Sequence, residues 1–259
     1  MVEVSYKGRL GNRLFQYSFG RILAEELGYV LKAEPIEVFS GTSDAIAGEM
    51  FEEPLVQILD KEIVDLPSML ADMSPRKIWI RAYLQRAEYY APYRDRVRTW
   101  LRLPTAPDRP GDDDLVLSIR LGDFVWLGRV LTPDYYFDIA RRHGRGRVWI
   151  VTDDPEDPYL EQFAALQPTY FTAEPFEQFN FLRAARHLVL CASTFTWWAA
   201  FLSDAEQVYF PILDRPCHWW ASSGPSPTDL RVSAPNYTYV NEVPYGKAFT
   251  PGCQVDPLL

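Results

Sequence analysis

Cysteine is scarce in this sequence, which contains only three among 259 residues: Cys191, Cys217 and Cys253. Their wide spacing provides neither a Cys-x-x-Cys site nor an even disulfide framework. Sparse, unpatterned cysteine is typical of proteins from a reducing compartment. We therefore expect a cytoplasmic protein, and the sequence leaves open a peripheral association with a membrane.

Long apolar runs and positive charge are also in short supply. No run of 18 apolar residues is present, and the first residues do not follow the charged-then-apolar pattern of a signal peptide. The 26 Lys and Arg residues are outnumbered by 35 Asp and Glu residues, which gives a formal net charge of −9. This excess argues against nucleic acid or an anionic membrane as the main partner. An anionic substrate would therefore need a local basic pocket.

The remaining composition indicates a folded, globular chain. Hydrophobic residues make up 47% and aromatic residues 15% of the sequence, and the length allows one large domain or two small ones. The segment Pro104–Asp114 contains three prolines and the run Asp112–Asp114, so it is the best linker candidate. We interpret the three aspartates as a solvated turn rather than a metal site.

The segment Leu115–Phe124 carries the clearest signal for a ligand site. Its first five residues, Leu115–Ile119, predict a buried strand of a parallel sheet. Arg120 then follows at the carboxyl end, where ligands bind in open α/β sheets. A guanidinium at that position is suited to phosphate oxygens. The alternative is a surface arginine that only pairs with Asp123 in a turn.

The N-terminal residues predict a second unit of this kind. Val2–Ser5 reads as a strand, residues 6–13 as a glycine-bearing loop, and Leu14–Leu27 as a helix that ends at Gly28. Loop amides and a helix N-terminus together favour an anion. The loop spacing is G-x-x-G rather than G-x-G-x-x-G, which makes a dinucleotide-dependent enzyme a weak alternative. A purely structural tight turn also stays open.

Two further strand ends bear polar residues. The strand Val148–Val151 precedes Asp153 and Asp154, which can accept from a nucleoside or cap the following helix. The strand Leu188–Ala192 precedes Ser193 and Thr194, either of which can cap a helix whose free amides form another anion site. In the same half, Thr132 predicts the N-cap of a helix starting at Pro133. The repeated order of strand, loop and helix indicates an α/β nucleotide-binding fold, and the tail from Pro211 has little periodicity.

Several segments resemble bacterial α-1,2-fucosyltransferases of glycosyltransferase family 11. Residues Lys7–Ala24, KGRLGNRLFQYSFGRILA, resemble the N-terminal signature of that family. Ser118–Asp123 resembles the H-x-R-R-G-D motif that the family shares with α-1,6- and protein O-fucosyltransferases. Ser193–Ala200, STFTWWAA, is similar to S-T-F-S-W-W-A-A. Shorter matches fall between these, in the family's order: Ala82–Gln85, Pro133–Tyr136 and Thr152–Asp154.

The resemblance implies a GT-B-like α/β fold with two Rossmann-like lobes and a cleft between them. Residues 1–105 would form the acceptor-side lobe and residues 106–259 the donor nucleotide-binding lobe, with the tail either staying there or crossing back. The implied activity is inverting transfer of fucose from GDP-fucose to a sugar hydroxyl, commonly the 2-OH of a galactose. Because Arg120 and the amides after Ser193 would already neutralise a diphosphate, we expect this transfer to need neither a metal nor a cofactor. The implied partners are a nucleotide-sugar donor and a glycan acceptor, and the oligomeric state is not indicated.

The resemblance also implies which residues form the site. Arg120 would hold the donor diphosphate, and Asp123 would either position Arg120, which we favour, or act as the base. Hydroxyl and amide groups of Ser193, Thr194 and Phe195 would bind the same phosphates. The other expected donor-site residues are Gly8, Gly11, Asn12, Arg13, Ser118, Asp153 and Asp154, the acceptor-side residues are Gln16 and Gln85, and no metal ligand is expected.

Two positions depart from the family motif. Ser118 stands where the family has a histidine that is expected to contact guanine, and Leu121 stands where it has a second arginine. These changes leave two alternatives open. One is a related glycosyltransferase with another nucleotide-sugar donor, and the other is a non-catalytic relative that binds a sugar nucleotide or a glycan.

Overall fold

Two parallel sheets organise the chain in the computed structural model, which describes residues 1–60, 63–103, 108–222 and 226–245. The chain divides into two compact units. The first is Met1–Pro104 with Pro227–Val232, and the second is Thr105–Ser226 with Ser233–Leu259. The predicted boundary at 105/106 and Cys253 lie outside the described residues, and the assignment of acceptor and donor lobes stays a prediction.

In its described residues, the first unit contains four strands and three α-helices. The strands are β1 (Val2–Val4), β2 (Leu31–Lys32), β3 (Leu55–Leu59) and β4 (Lys77–Arg81). They pair in parallel in the order β2-β1-β4-β3. The helices are α1 (Leu10–Leu27), α2 (Leu66–Ala71) and α3 (Arg94–Trp100).

Helix α1 begins four residues earlier than the sequence predicts. Gly8 adopts a left-handed conformation with φ 75°. The carbonyl of Arg9 then accepts from the amides of Asn12 and Arg13 at 3.0 and 3.1 Å. Asn12 and Arg13 are therefore helical, as is Gly11, and the prediction that they lie in a loop is wrong. The predicted end is confirmed, because Gly28 is left-handed with φ 67° and its amide donates to the carbonyl of Ala24.

The described part of the second unit contains six strands. They are β5 (Leu115–Ile119), β6 (Val148–Thr152), β7 (Thr169–Phe171), β8 (His187–Val189), β9 (Gln207–Leu213) and β10 (Tyr237–Val243). The helices are α4 (Gly122–Trp126), α5 (Pro133–His143), α6 (Pro175–Ala184) and α7 (Thr194–Leu202).

The order of these strands is that of a Rossmann-like fold. They pair in parallel in the order β10-β9-β8-β5-β6-β7. The chain moves outward from β5 to β7, returns to β8 on the other side of β5, and then moves outward to β10. The reversal between β5 and β8 is the topological switch point at which such sheets bind ligands. The predicted α/β fold with parallel sheets is therefore confirmed.

The core of the second unit explains its continuous apolar runs. All five residues of β5 are buried, and Trp197, Trp198 and Phe201 of α7 are 0–1% exposed. A strand covered on both faces needs apolar residues at every position rather than at alternate ones. Across the described ranges, no helix combines the length and apolar character needed to cross a membrane.

Candidate functional site

The carboxyl ends of β5 and β8 meet at the switch point of the second unit. Leu117 of β5 is paired with Val189 of β8. Arg120 and Ala192 each lie three residues further along the chain, so both leave the sheet at the same level. Arg120 thus directly follows the carboxyl end of β5, as the sequence predicts, and α7 begins two residues after Ala192.

Two carboxylates hold Arg120 in one orientation. Asp123 Oδ1 accepts from Nη2 of Arg120 at 2.7 Å and from Nε at 3.2 Å. Asp153 Oδ2 lies 2.9 Å from Nη1 of the same guanidinium. The pairing with Asp123 that the sequence offered as an alternative is thus present. The Arg120 side chain keeps 21% of its surface exposed, which leaves room for a ligand contact.

Asp153 also fixes the backbone that follows β5. Its Oδ1 accepts from the amide of Leu121 at 2.8 Å. Gly122 has φ 30°, and a Cβ there would lie 2.4 Å from Asp153 Oδ2. Only glycine allows this approach without displacing the carboxylate. Asp153 therefore ties the end of β6 to the loop that carries Arg120.

The two aspartates after β6 do not cap the following helical turn. Asp157 is its N-cap and accepts from the amide of Tyr159 at 2.8 Å. Asp157 is not among the residues predicted from the sequence, although its position directly before Pro158 is a capping signal. The amide of Asp154 donates to Thr152 Oγ1 at 3.3 Å, and its carboxylate has no hydrogen bond within the described residues.

Helix α7 presents its positive end at the same edge of the sheet. Ser193 is the N-cap residue and is extended, with φ −123° and ψ 132°. The predicted N-cap positions of Ser193 and of Thr132 at the start of α5 are therefore confirmed, but neither hydroxyl bonds to its helix. The first intrahelical acceptor is the Ser193 carbonyl, which bonds the amide of Trp197 at 3.0 Å. The amides before Trp197, including that of Phe195, and the partly exposed hydroxyl of Thr194 can therefore meet an anion.

A buried polar cluster connects β5 to α7. Ser118 Oγ lies 2.8 Å from Thr196 Oγ1 and 3.5 Å from Cys191 Sγ. The three residues are 1–5% exposed, and burial raises the pKa of the Cys191 thiol. The Ser118 hydroxyl is therefore used in an internal contact and is not presented to a ligand. Sequence reasoning missed Thr196 and Cys191, because their meeting depends on the pairing of β5 with β8.

In the first unit, the predicted acceptor-side glutamines have different surroundings. Gln16 is fully buried. It holds the backbone of Lys7, accepting from its amide at 2.8 Å and donating to its carbonyl at 3.0 Å. Gln85 is partly exposed and donates to Asn12 Oδ1 at 2.8 Å. A Cβ on Gly8 would lie 2.3 Å from Asn12 Nδ2.

Gly11 and Arg13 are the two remaining site residues predicted in the N-terminal segment. Gly11 is buried in α1, whereas Arg13 is exposed and its guanidinium lies 5.9 Å from the ring of Tyr6. The first unit thus brings Gly8, Asn12 and Gln85 together, and Gln16 holds the backbone of Lys7, the residue before Gly8. In the part of the chain that the structure describes, no group of three or more His, Cys, Asp or Glu residues could hold a metal ion.

The strand order and the polar switch point make the second unit Rossmann-like, a class of fold in which ligands bind at that point. Residues 108–218 match the model of glycosyl transferase family 11. The matched segment runs from before β5 to beyond β9 and contains Arg120, Asp153 and α7. The predicted resemblance to this family is therefore confirmed, and it supports a glycosyltransferase of the fucosyltransferase type with a nucleotide-sugar donor and a glycan acceptor. No curated protein matches the chain.

Proposed function

We propose that this protein is an inverting, metal-independent glycosyltransferase that transfers fucose from GDP-fucose to a sugar hydroxyl, forming an α-1,2 linkage to galactose. The main support is the position of Arg120. It follows β5 at the switch point, inside the segment that matches family 11, and lies at the level of the first turn of α7. A fixed guanidinium and a helix N-terminus are complementary to a diphosphate.

The donor diphosphate binds between these two groups. Arg120 offers a planar fork whose direction is set by Asp123 and Asp153. Ser193, Thr194 and Phe195 add hydroxyl and amide donors from α7, whose first turn contains no acidic residue. The buried bond between Ser118 and Thr196 keeps the two elements at a constant separation. Asp154, whose carboxylate is uncommitted among the described residues, contacts the nucleoside.

Transfer proceeds as the bond between fucose and the diphosphate breaks. Negative charge grows on the departing GDP, and Arg120 stabilises it in a partly dry site. The acceptor hydroxyl attacks from the opposite face, which inverts the configuration. Asp123 Oδ1 already accepts two bonds from Arg120, which supports a positioning role. Because the phosphate departs from the face opposite the attack, the acceptor's proton reaches it by way of water after the new bond has formed, so neither a separate base nor a metal is required.

The acceptor is bound by the first unit in this proposal. Because Gln16 is fully buried and bonds the backbone of Lys7, it does not contact the sugar and only supports the loop. Gln85 and Asn12 remain as the polar side chains that can bind acceptor hydroxyls, and the exposed side chain of Arg13 follows Asn12 in sequence. In this proposal, residues 1–105 form the lobe that binds the acceptor, and residues 106–259 form the lobe that binds the donor.

A second candidate is transfer from a different nucleotide sugar. It is favoured by one observation, the burial of Ser118 at the position of the family's histidine, where its hydroxyl is used by Thr196. If the donor is GDP-fucose despite this burial, guanine is recognised mainly by a carboxylate such as Asp154, and such bidentate contacts discriminate by about 1–3 kcal/mol in base readout. Thermal shifts with GDP, UDP, ADP and CMP separate the candidates, because GDP should stabilise most. Equal stabilisation by UDP would reject the GDP assignment.

The direct test is release of GDP from GDP-fucose with and without β-galactosides, followed by linkage analysis of the product. Arg120→Ala should lower turnover about a hundredfold, which corresponds to roughly 3 kcal/mol of lost charge stabilisation. Arg120→Lys should also be poor, because the planar fork is lost. Arg141→Ala is the matched control, since Arg141 pairs only on the surface of α5. A near wild-type rate for Arg120→Ala would rule out its role.

A further inference from the structure

Arg129 is a charged side chain for which the proposed mechanism has no role. It follows α4 in the second unit and is partly buried. Its guanidinium lies 4.7 Å from the centre of the Trp219 ring. Within the described residues, this guanidinium makes no hydrogen bond and no ion pair, whereas the backbone amide of Arg129 donates to the Phe124 carbonyl at 2.9 Å. Burial lowers its pKa, opposed by weaker effects of nearby groups that include Asp123.

The charges around Arg120 show why a second cation is needed. Asp123 and Asp153 both contact that guanidinium, so the three side chains together carry one net negative charge. The N-terminus of α7 offsets roughly half an elementary charge. A diphosphate brings further negative charge to this place. In the family motif a second arginine adjoins the first, but here that position is Leu121, which is apolar and fully buried.

Topology singles out Arg129 among the described arginines of the second unit. Most of the others precede strands: they lie just before β5, at the end of α5, before β6, or at and after the end of α6. Those positions are at the amino ends of the strands, away from the site. Arg215 follows β9 but pairs with Asp214 and donates to the Tyr245 carbonyl at 2.9 Å. Among the described arginines of the second unit, Arg120 and Arg129 both follow β5. Of these two, Arg129 is the one whose guanidinium lacks an anionic partner.

A pair of aromatic rings connects the two arginines. The Arg120 guanidinium lies 5.8 Å from the centre of the Phe124 ring. Phe124 and Trp219 meet edge to face with their centres 5.8 Å apart, and Trp219 carries Arg129 on its ring. The two guanidinium groups thus lie on neighbouring rings. Stacking holds a guanidinium in place while leaving its N–H groups free to donate.

We propose that Arg129 supplies the second positive charge for the donor diphosphate and takes the place of the arginine that Leu121 replaces. This inference rests on the proposed function and adds a donor-binding residue to it. Arg129 binds the terminal, sugar-bearing phosphate together with Arg120, and Trp219 keeps its guanidinium in position. Removal from water is costly for an unpaired cation, and bonding to the phosphate offsets that cost when the donor arrives.

The test compares GDP with GMP, which lacks the terminal phosphate, by titration calorimetry. Arg129→Gln should weaken GDP binding roughly tenfold to a hundredfold, as expected for lost hydrogen bonds to a charged group. GMP binding should change much less. Arg129→Lys should retain part of the affinity because it keeps the charge. Arg141→Gln, which removes an exposed arginine elsewhere in the same unit, should leave both affinities unchanged.

The possible results separate this inference from the proposed function. Unchanged GDP affinity in Arg129→Gln, together with a loss in Arg120→Ala, would overturn the role of Arg129 and leave the proposed function standing. Equal loss of GDP and GMP, with a lowered melting temperature in both Arg129 variants, would show that Arg129 only supports Trp219 and would also overturn it. If the wild-type protein binds no nucleoside diphosphate, both proposals fail.

Discussion

Replacing Gly122 with alanine should damage the loop that carries Arg120 through a single added carbon. The new Cβ would lie 2.4 Å from Asp153 Oδ2, which is too close for any real contact, so the carboxylate must move. It would then lose the Leu121 amide at 2.8 Å and the Arg120 Nη1 atom at 2.9 Å. Arg120 would keep its contact with Asp123 but lose its contact with Asp153.

The size of the effect follows from those contacts. Hydrogen bonds to charged groups contribute about 1.5–3 kcal/mol each. Because the side chains of Arg120 and Asp153 are partly exposed, we expect each of the two bonds lost from Asp153 to contribute at or below the lower end of that range. A left-handed alanine adds about 1 kcal/mol of strain. We expect Gly122→Ala to lower the free energy of unfolding by about 2–4 kcal/mol and to weaken GDP binding at least tenfold.

Gly144→Ala is the matched control for this prediction. Gly144 is also left-handed, with φ 62°, but a Cβ there would meet its nearest atom, the Arg141 carbonyl oxygen, at an ordinary 3.6 Å. It should therefore cost only the strain of about 1 kcal/mol and leave GDP binding unchanged. Urea denaturation and calorimetry measure the two quantities. If both variants lose the same stability and both bind GDP normally, the reasoning about Asp153 is refuted.

Three further predictions concern the reaction and the pH dependence of stability. Asp123→Asn should reduce donor affinity, turnover and slow donor hydrolysis together, whereas survival of GDP binding and hydrolysis with loss of transfer would identify Asp123 as the base. Transfer should persist in EDTA, and its abolition with rescue by Mg²⁺ or Mn²⁺ would contradict a metal-independent mechanism. Burial, followed by the adjacent His143, lowers the pKa of His187 from its ordinary 6.5. Protonation therefore disfavours the folded state, so stability should fall as the pH drops below about 6.5, and urea midpoints should show a smaller fall in His187→Gln.

The sequence predicted the second unit well, because its signals there are local. A continuous apolar run marks β5 and β6, and proline after Thr132 marks the start of α5. The tail was harder to interpret. Strand β10 pairs in parallel with β9 at the edge of the sheet and is mostly not buried, so it lacks the apolar pattern of an interior strand.

The geometry of the site depended on contacts that no local pattern records. Asp153 reaches the amide of Leu121 across 32 positions of sequence, and Ser118 meets Thr196 only because β5 and β8 are adjacent. The same is true of Trp219, which lies far along the chain from Arg129. Sequence identified the residue types at the strand ends, whereas the strand order determined which of them share a site.

Amide hydrogen exchange with and without saturating GDP tests the central claim most directly, because the donor diphosphate is proposed to bind between Arg120 and the first turn of α7. We expect slower exchange at Leu121 and Gly122 and at Thr194 and Phe195, with Arg120→Ala abolishing both effects. Exchange at the amino ends of the strands, such as Val148, should not change. Protection confined to other parts of the chain, or none at saturating GDP, would contradict the account.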